Sequence, residues 1–182
     1  SYQVPPPDCS QVPERGSHNG SGDIRQGRYT DIRVNSATSE LNLAPGLYCL
    51  SGDFTINGGT VNGQGVTFYL TSGDFDVAGG VTINISAPYC TNCDPEIPGM
   101  LIYLAEGNTG EVSLLGTSDS NYEGTVYAPD GMIEAGGTGS ELSEIHAQLV
   151  GDTVKLHGTT EVNIVYRGGQ NYEVPSMLEL YK

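Results

Sequence analysis

Basic side chains are scarce in this sequence. Seven Lys and Arg stand against 22 Asp and Glu, a formal net charge of −15. Such a surface repels phosphate backbones and anionic headgroups, which removes nucleic acid and acidic membranes from the expected partners. It also argues against a lyase of acidic polysaccharides, whose substrate needs cations to neutralise it. The basic residues Arg15, Arg25, Arg28 and Arg33 crowd a segment expected to lie ahead of the regular repeats. Long apolar runs are missing, so no membrane span is expected, and nothing reads as a signal peptide. The first residue is Ser1 and not Met, which raises the expectation of a processed product or a fragment. Histidine is limited to His18, His146 and His157. Lys155 and His157 share one strand face, but no nucleophile, base and acid are spaced with them. No catalytic residue, cofactor or metal is therefore expected, and the chain is not read as an enzyme.

Glycine is abundant instead, with 26 residues, and only 16% of side chains are charged. Gly, Asn, Ser and Thr make poor helix interiors and good turns, so short strands joined by many turns are expected. The length of 182 residues suits one domain with a real core.

A repeat carries the fold. Ser51-Gly-Asp-Phe-Thr-Ile-Asn-Gly-Gly59 returns as Ser72-Gly-Asp-Phe-Asp-Val-Ala-Gly-Gly80, 21 residues later. Extending the register gives Phe54, Phe75, Val112, Ile133 and Val154 at one apolar position. Ile56, Val77, Leu114, Ala135 and Leu156 follow two residues on, and Gly58, Gly79, Gly116, Gly137 and Gly158 close the units. The steps are 21, 37, 21 and 21, and Pro88–Gly99 reads as the insertion in the long one. Ile32 and Val34 suit a weaker earlier rung. A period near 20 with alternating strands and Gly punctuation marks a solenoid. The expected fold is all-β, a single-stranded β-helix of about six irregular coils, roughly 30 Å long at the usual strand spacing. A β-sandwich ranks second because it requires no constant period. Ser140–Leu149 has Leu142, Ile145 and Leu149 at helical spacing, but the register favours strand, with His146–Val150 following Gly124–Ala128 by 22 residues.

Four cysteines, Cys9, Cys49, Cys90 and Cys93, favour an oxidising compartment. Of three possible pairings, Cys9–Cys49 and Cys90–Cys93 are preferred. A redox role for Cys90-Thr-Asn-Cys93 is disfavoured, because Asp94 and Glu96 raise the thiol pKa and Pro95 and Pro98 break any helix. Zinc would need all four sulfurs in one place. Asp53 and Asp74 repeat, with Glu111 at the equivalent position. Corner residues bonding their own turn are preferred over a calcium site, since no calcium-binding nonapeptide is present. Asn19-Gly-Ser21 and Asn84-Ile-Ser86 fit a glycosylation pattern that is common by chance. Tyr69, Tyr103 and Tyr127 recur in similar strands, as a packing ladder first and a sugar platform second.

Residues 1–28 read as an extended Pro/Gly-rich arm, 29–166 as the solenoid and 167–182 as an extended C-terminal segment. Tyr2-Gln-Val-Pro5 echoes Tyr172-Glu-Val-Pro175, and Met177-Leu-Glu-Leu-Tyr181 alternates. Tyr2, Val4, Tyr172, Val174, Met177, Leu178, Leu180 and Tyr181 are thus candidate assembly residues. They could complete a neighbour's open coil head to tail, or cap their own domain.

Leu43–Leu50, Gly65–Leu70, Tyr122–Pro129 and Gln170–Pro175 resemble the C-terminal region of bacterial TadG-like proteins of the tight-adherence pilus system. A looser similarity links the chain to bactofilins, β-helices that polymerise through their ends. The first resemblance implies an envelope or appendage role without catalytic residues. The combined expectation is an extracellular or cell-surface structural protein, a filament or appendage subunit. Its partners would be other copies of itself or other appendage proteins, and a glycan-binding adhesin module is the alternative.

Overall fold

A computed structural model describes residues 4–90, 93–136, 144–157, 163–164 and 171–173. A short 3-10 turn at Cys9–Gln11 precedes β1 (Glu14–Asn19). The first full coil holds β2 (Gly22–Ile24) and β3 (Gly27–Val34). Next come β4 (Glu40–Leu43), β5 (Gly46–Leu50) and β6 (Phe54–Ile56), then β7 (Thr60–Gln64), β8 (Val66–Leu70) and β9 (Phe75–Val77). The fourth coil holds β10 (Thr82–Ser86), β11 (Met100–Leu104) and β12 (Glu111–Leu114). The fifth is the single run β13 (Asn121–Gly136), the sixth is β14 (Glu144–His157), and β15 (Asn163–Ile164) opens a seventh.

Every pairing between these strands is parallel, which is the pattern of stacked coils and not of an antiparallel sandwich. Three faces result. Face A stacks β2, β4, β7, β10, the start of β13, the start of β14, and β15. Face B stacks the starts of β1 and β3 with β5, β8, β11 and the middles of β13 and β14. Face C stacks the ends of β1 and β3 with β6, β9, β12 and the ends of β13 and β14. The protein is a β-solenoid.

The repeat predicted the layers of face C. Phe54, Phe75, Val112, Ile133 and Val154 are successive register partners, as are Ile56, Val77, Leu114, Ala135 and Leu156. Ile32 and Val34 extend both rows to the coil below. Period-2 alternation turns these side chains inward, where Phe54 and Phe75 stack at 4.5 Å between ring centroids. Phe68, from face B, lies 4.8 Å from Phe54 and 5.2 Å from Phe75, so two faces lock in one aromatic cluster. All three rings are fully buried, each stabilising by about 1.5–3 kcal/mol relative to exposure.

Several details differ from the expectation. The coils begin inside the segment read as an arm, because β1 pairs with β3 and β2 with β4. Arg15, Arg28 and Arg33 therefore sit on the first strands, not in a free arm. Left-handed backbone falls at Gly59 (φ 86°) and Gly73 (φ 83°) and not at the repeat glycine Gly58. Gly58 is instead small because a Cβ there would come within 3.0 Å of the Ala37 nitrogen one coil below. Gly137 and Gly158 lie outside the described residues. Over Asn121–Ala128 β14 follows β13 by 23 residues and not 22, with Gly124 opposite Ala147, before a register shift restores the 21-residue step from Met132. A slip of one would turn Ile145 and Ala147, both buried, out to solvent. The long step is shared: the offset is 22 at Val61–Ile83, 34 at Phe68–Ile102 and 37 at Phe75–Val112. Most of it is the Pro88–Gly99 loop, closed at its base by the Gly99 amide donating to the Pro88 carbonyl at 2.9 Å.

Candidate functional site

Face B carries the candidate binding surface. The outward row runs Cys49, Tyr69, Tyr103, Tyr127. Tyr69 and Tyr127 each meet Tyr103 edge to face at 5.1 Å, with planes 78° and 83° apart. Such T-shaped pairs satisfy the ring quadrupoles and stiffen the face. The N-terminal segment lies along this ladder: the Tyr103 hydroxyl donates to the Val4 carbonyl at 2.6 Å. Burial foremost, and then Tyr127, Tyr69 and Glu106, push the Tyr103 phenol up to about 12, so it remains a donor at neutral pH. A groove of about 760 Å³ is lined by Pro5 and Pro6 of the N-terminal segment together with Tyr69, Tyr103, Tyr127, Glu106 and Asp130. Pro5, Pro6, Glu106 and Asp130 had no signal in the sequence, because only the fold brings them together.

Val4 and Tyr172 meet on this same face, in one apolar cluster with Met100, Tyr103 and Ile97. The Tyr172 amide donates to Thr125 Oγ1 at 2.8 Å. The two echoing terminal segments therefore dock on the side of their own solenoid at these points, and Val4 and Tyr172 cover neither end of the coil stack. The remaining candidate assembly residues, Tyr2, Val174, Met177, Leu178, Leu180 and Tyr181, lie outside the described residues.

Both expected disulfides are present, Cys9–Cys49 and Cys90–Cys93. Cys9–Cys49 pins the 3-10 turn to β5, and Val12 and Leu47 pack beside it. Asp8 caps that turn, its Oδ1 accepting from the Ser10 amide at 3.0 Å. With the four sulfurs paired, no thiolate is available to zinc, and the bonds suit an oxidising, secreted environment. Among the described residues no His, Cys, Asp and Glu cluster is arranged to hold a metal ion.

The repeated acids form a ladder between coils. Asp31 Oδ1 accepts from the Asp53 amide at 3.0 Å, Asp53 Oδ1 from the Asp74 amide at 3.2 Å, and Asp74 Oδ1 from the Glu111 amide at 2.8 Å. These side chains bond the next coil rather than their own turn, a correction to the expected geometry. The Asp53 amide, foremost, holds the Asp31 carboxyl below its usual range. Arg33 bridges Asp31 at 3.3 Å and Asp53 at 3.0 Å. On the outer row of face C, Asp76 is pushed up, first by burial and then by Asp74, Asp53 and Glu134. The histidines do not converge. His18 approaches the Gly20 carbonyl, His146 pairs in register with Glu123 on face A, and His157 lies 3.3 Å from Glu134.

The ends of the stack form a second candidate surface. At the base, β1 underlies faces B and C, while face A starts one layer higher with β2. At the top, β15 pairs with 144–145 of face A only, and among the described residues no strand covers the far edge of 148–157. Val150, Val154 and Leu156 are there 40%, 42% and 53% exposed, whereas Ile133 and Ala135 one layer below are fully buried.

Residues 10–168 match the family described as Domain of unknown function (DUF7305). The chain belongs to that family. The DUF7305 span runs from the 3-10 turn past β15, so the coil stack is the family's domain. No curated protein and no solved structure matches the chain.

Proposed function

We propose that this protein is an extracellular structural subunit that assembles end to end into a cell-surface filament or appendage. The observation that carries the reading is the top of the stack, where the far edge of 148–157 has no strand against it among the described residues. An apolar column sealed along its length ends in a parallel strand edge with Val154 and Leu156 exposed. Exposed strand edges recruit further strands, and a solenoid has no sheet closure to protect its ends. The disulfides suit the outside of a cell, and the resemblance to TadG-like proteins supports an appendage setting. Electron microscopy of the concentrated, oxidised protein should reveal fibres; dispersed particles at every concentration would sink the proposal.

The groove on face B favours a second reading, a glycan-binding surface module. The half-buried rings of Tyr69 and Tyr127 offer apolar platforms, and the Asp130 carboxylate, which accepts from the Gly107 amide through Oδ2, lies in the same groove for sugar hydroxyls. A glycan array read with Tyr127→Ala alongside decides it. Specific binding lost in the variant supports the module, and equal signals from the two proteins remove it.

A further inference from the structure

We infer that the two ends of the solenoid are complementary parts of one coil, so that β1 of a second copy completes the coil that β15 begins. The inference rests on the structural-subunit reading above and names its joint. In the layer above β14, face A is supplied by β15, while faces B and C have no strand among the described residues. In the lowest layer the pattern reverses: β1 supplies faces B and C, and face A has no strand among the described residues. Chain direction fits as well. All pairings are parallel and each coil runs from face A to B to C, so the incoming β1 would continue the winding after β15.

The register rows predict the contacts. Extending the rows of face C by one layer sets His18 of the second copy over Val154, and Asn19 over Lys155. Charge favours this orientation over a symmetric top-to-top contact. At the base Arg15, Arg25, Arg28 and Arg33 offset Asp8, Glu14, Asp23 and Asp31, whereas in the upper coils Glu123, Asp130, Glu134, Glu144 and Asp152 face only Lys155 among the described residues. A neutral base against an acidic top avoids the repulsion that two acidic tops would suffer.

The test mixes full-length Asn19→Cys protein with full-length Lys155→Cys protein under mild oxidation. Non-reducing gels and electron microscopy are read on the same samples, and a mixture of Asn84→Cys with Lys155→Cys serves as the control. Both native disulfides are closed, so the introduced thiols report alone. Within one molecule positions 19 and 155 are six layers apart, about 29 Å, which excludes an internal bond. The joint predicts a covalent dimer in the first mixture and none in the control. Fibres without that dimer would overturn the joint and leave the structural-subunit reading standing. Neither fibres nor dimer would overturn both.

Discussion

At the base of the stack, β1 brings Glu14, Arg15, Ser17 and His18 to the outermost layer, and the Cys9–Cys49 bond clamps the segment before it to β5. At the top, β14 brings Val150, Val154 and Leu156, each at least 40% exposed, and the far edge of 148–157 has no strand against it among the described residues. One register runs through both ends, since His18 and Val154 belong to the same inward row. The difference lies in chemistry, polar and stapled below, with exposed apolar side chains and an edge unpaired among the described residues above. A solenoid that only needed to be a stable monomer would be expected to carry polar caps at both ends. The asymmetry instead suits a unit whose top is covered by something else.

The largest effect belongs to the middle of the row that both ends share. Phe75→Ala removes a ring packed on Phe54 and Phe68 and should cost about 3–5 kcal/mol in a denaturant melt. Val154→Ala, at the open end of that row, should cost no more than about 1 kcal/mol because its side chain is already partly in water. Equal losses at the two positions would mean that the top is as sealed as the centre.

Next in size is the staple at the base. Replacing both Cys9 and Cys49 by Ser opens a closure of 40 residues and should cost about 2–4 kcal/mol. The Cys90–Cys93 pair closes a separation of 3 and should cost less. The reverse order would place the critical restraint in the insertion loop and not at the base. Smaller again is Tyr103→Phe, which removes the bond to the Val4 carbonyl at a cost of about 0.5–1.5 kcal/mol. The loss should be local, read as faster amide exchange at Val4 and in the Cys9–Gln11 turn with an unchanged global melt. Unaltered exchange there would mean that the segment is held by other contacts.

The smallest effect concerns Asp76, whose carboxyl is raised by burial and then by Asp74, Asp53 and Glu134. A raised carboxyl binds more protons folded than unfolded. Its penalty is therefore absent below its ordinary pKa, grows as pH rises through the folded value, and is complete at neutrality. Asp76→Asn should stabilise at pH 7 by no more than about 0.5 kcal/mol, since the side chain is exposed and solvent screens it. It should do nothing at about pH 3.5, below the ordinary carboxylate range. A gain of the same size at both pH values would rule out charge as the cause.

Some of this was written plainly in the chain. The Ser-Gly-Asp-Phe repeat exposed the rows of face C because Phe54, Phe75 and their partners must face inward at one spacing. β1 and β2 escaped because Glu14–Asn19 and Gly22–Ile24 hold a single apolar side chain between them, Ile24, so no alternation announces a strand. The one-residue error between β13 and β14 arose at Gly124, where no side chain declares which face is inner. The groove was hidden for another reason. Val4 and Tyr103 are 99 residues apart, and only the stacking of coils brings the segment to the ladder.

The axial repeat of the assembled protein, by fibre diffraction or cryo-electron microscopy, tests the account most directly. Each face holds seven strands per copy, so coils stacked without a break predict a repeat of about 34 Å beneath a meridional reflection near 4.8 Å. A repeat of twice that length, or fibres in which the strands do not run across the axis, would contradict it.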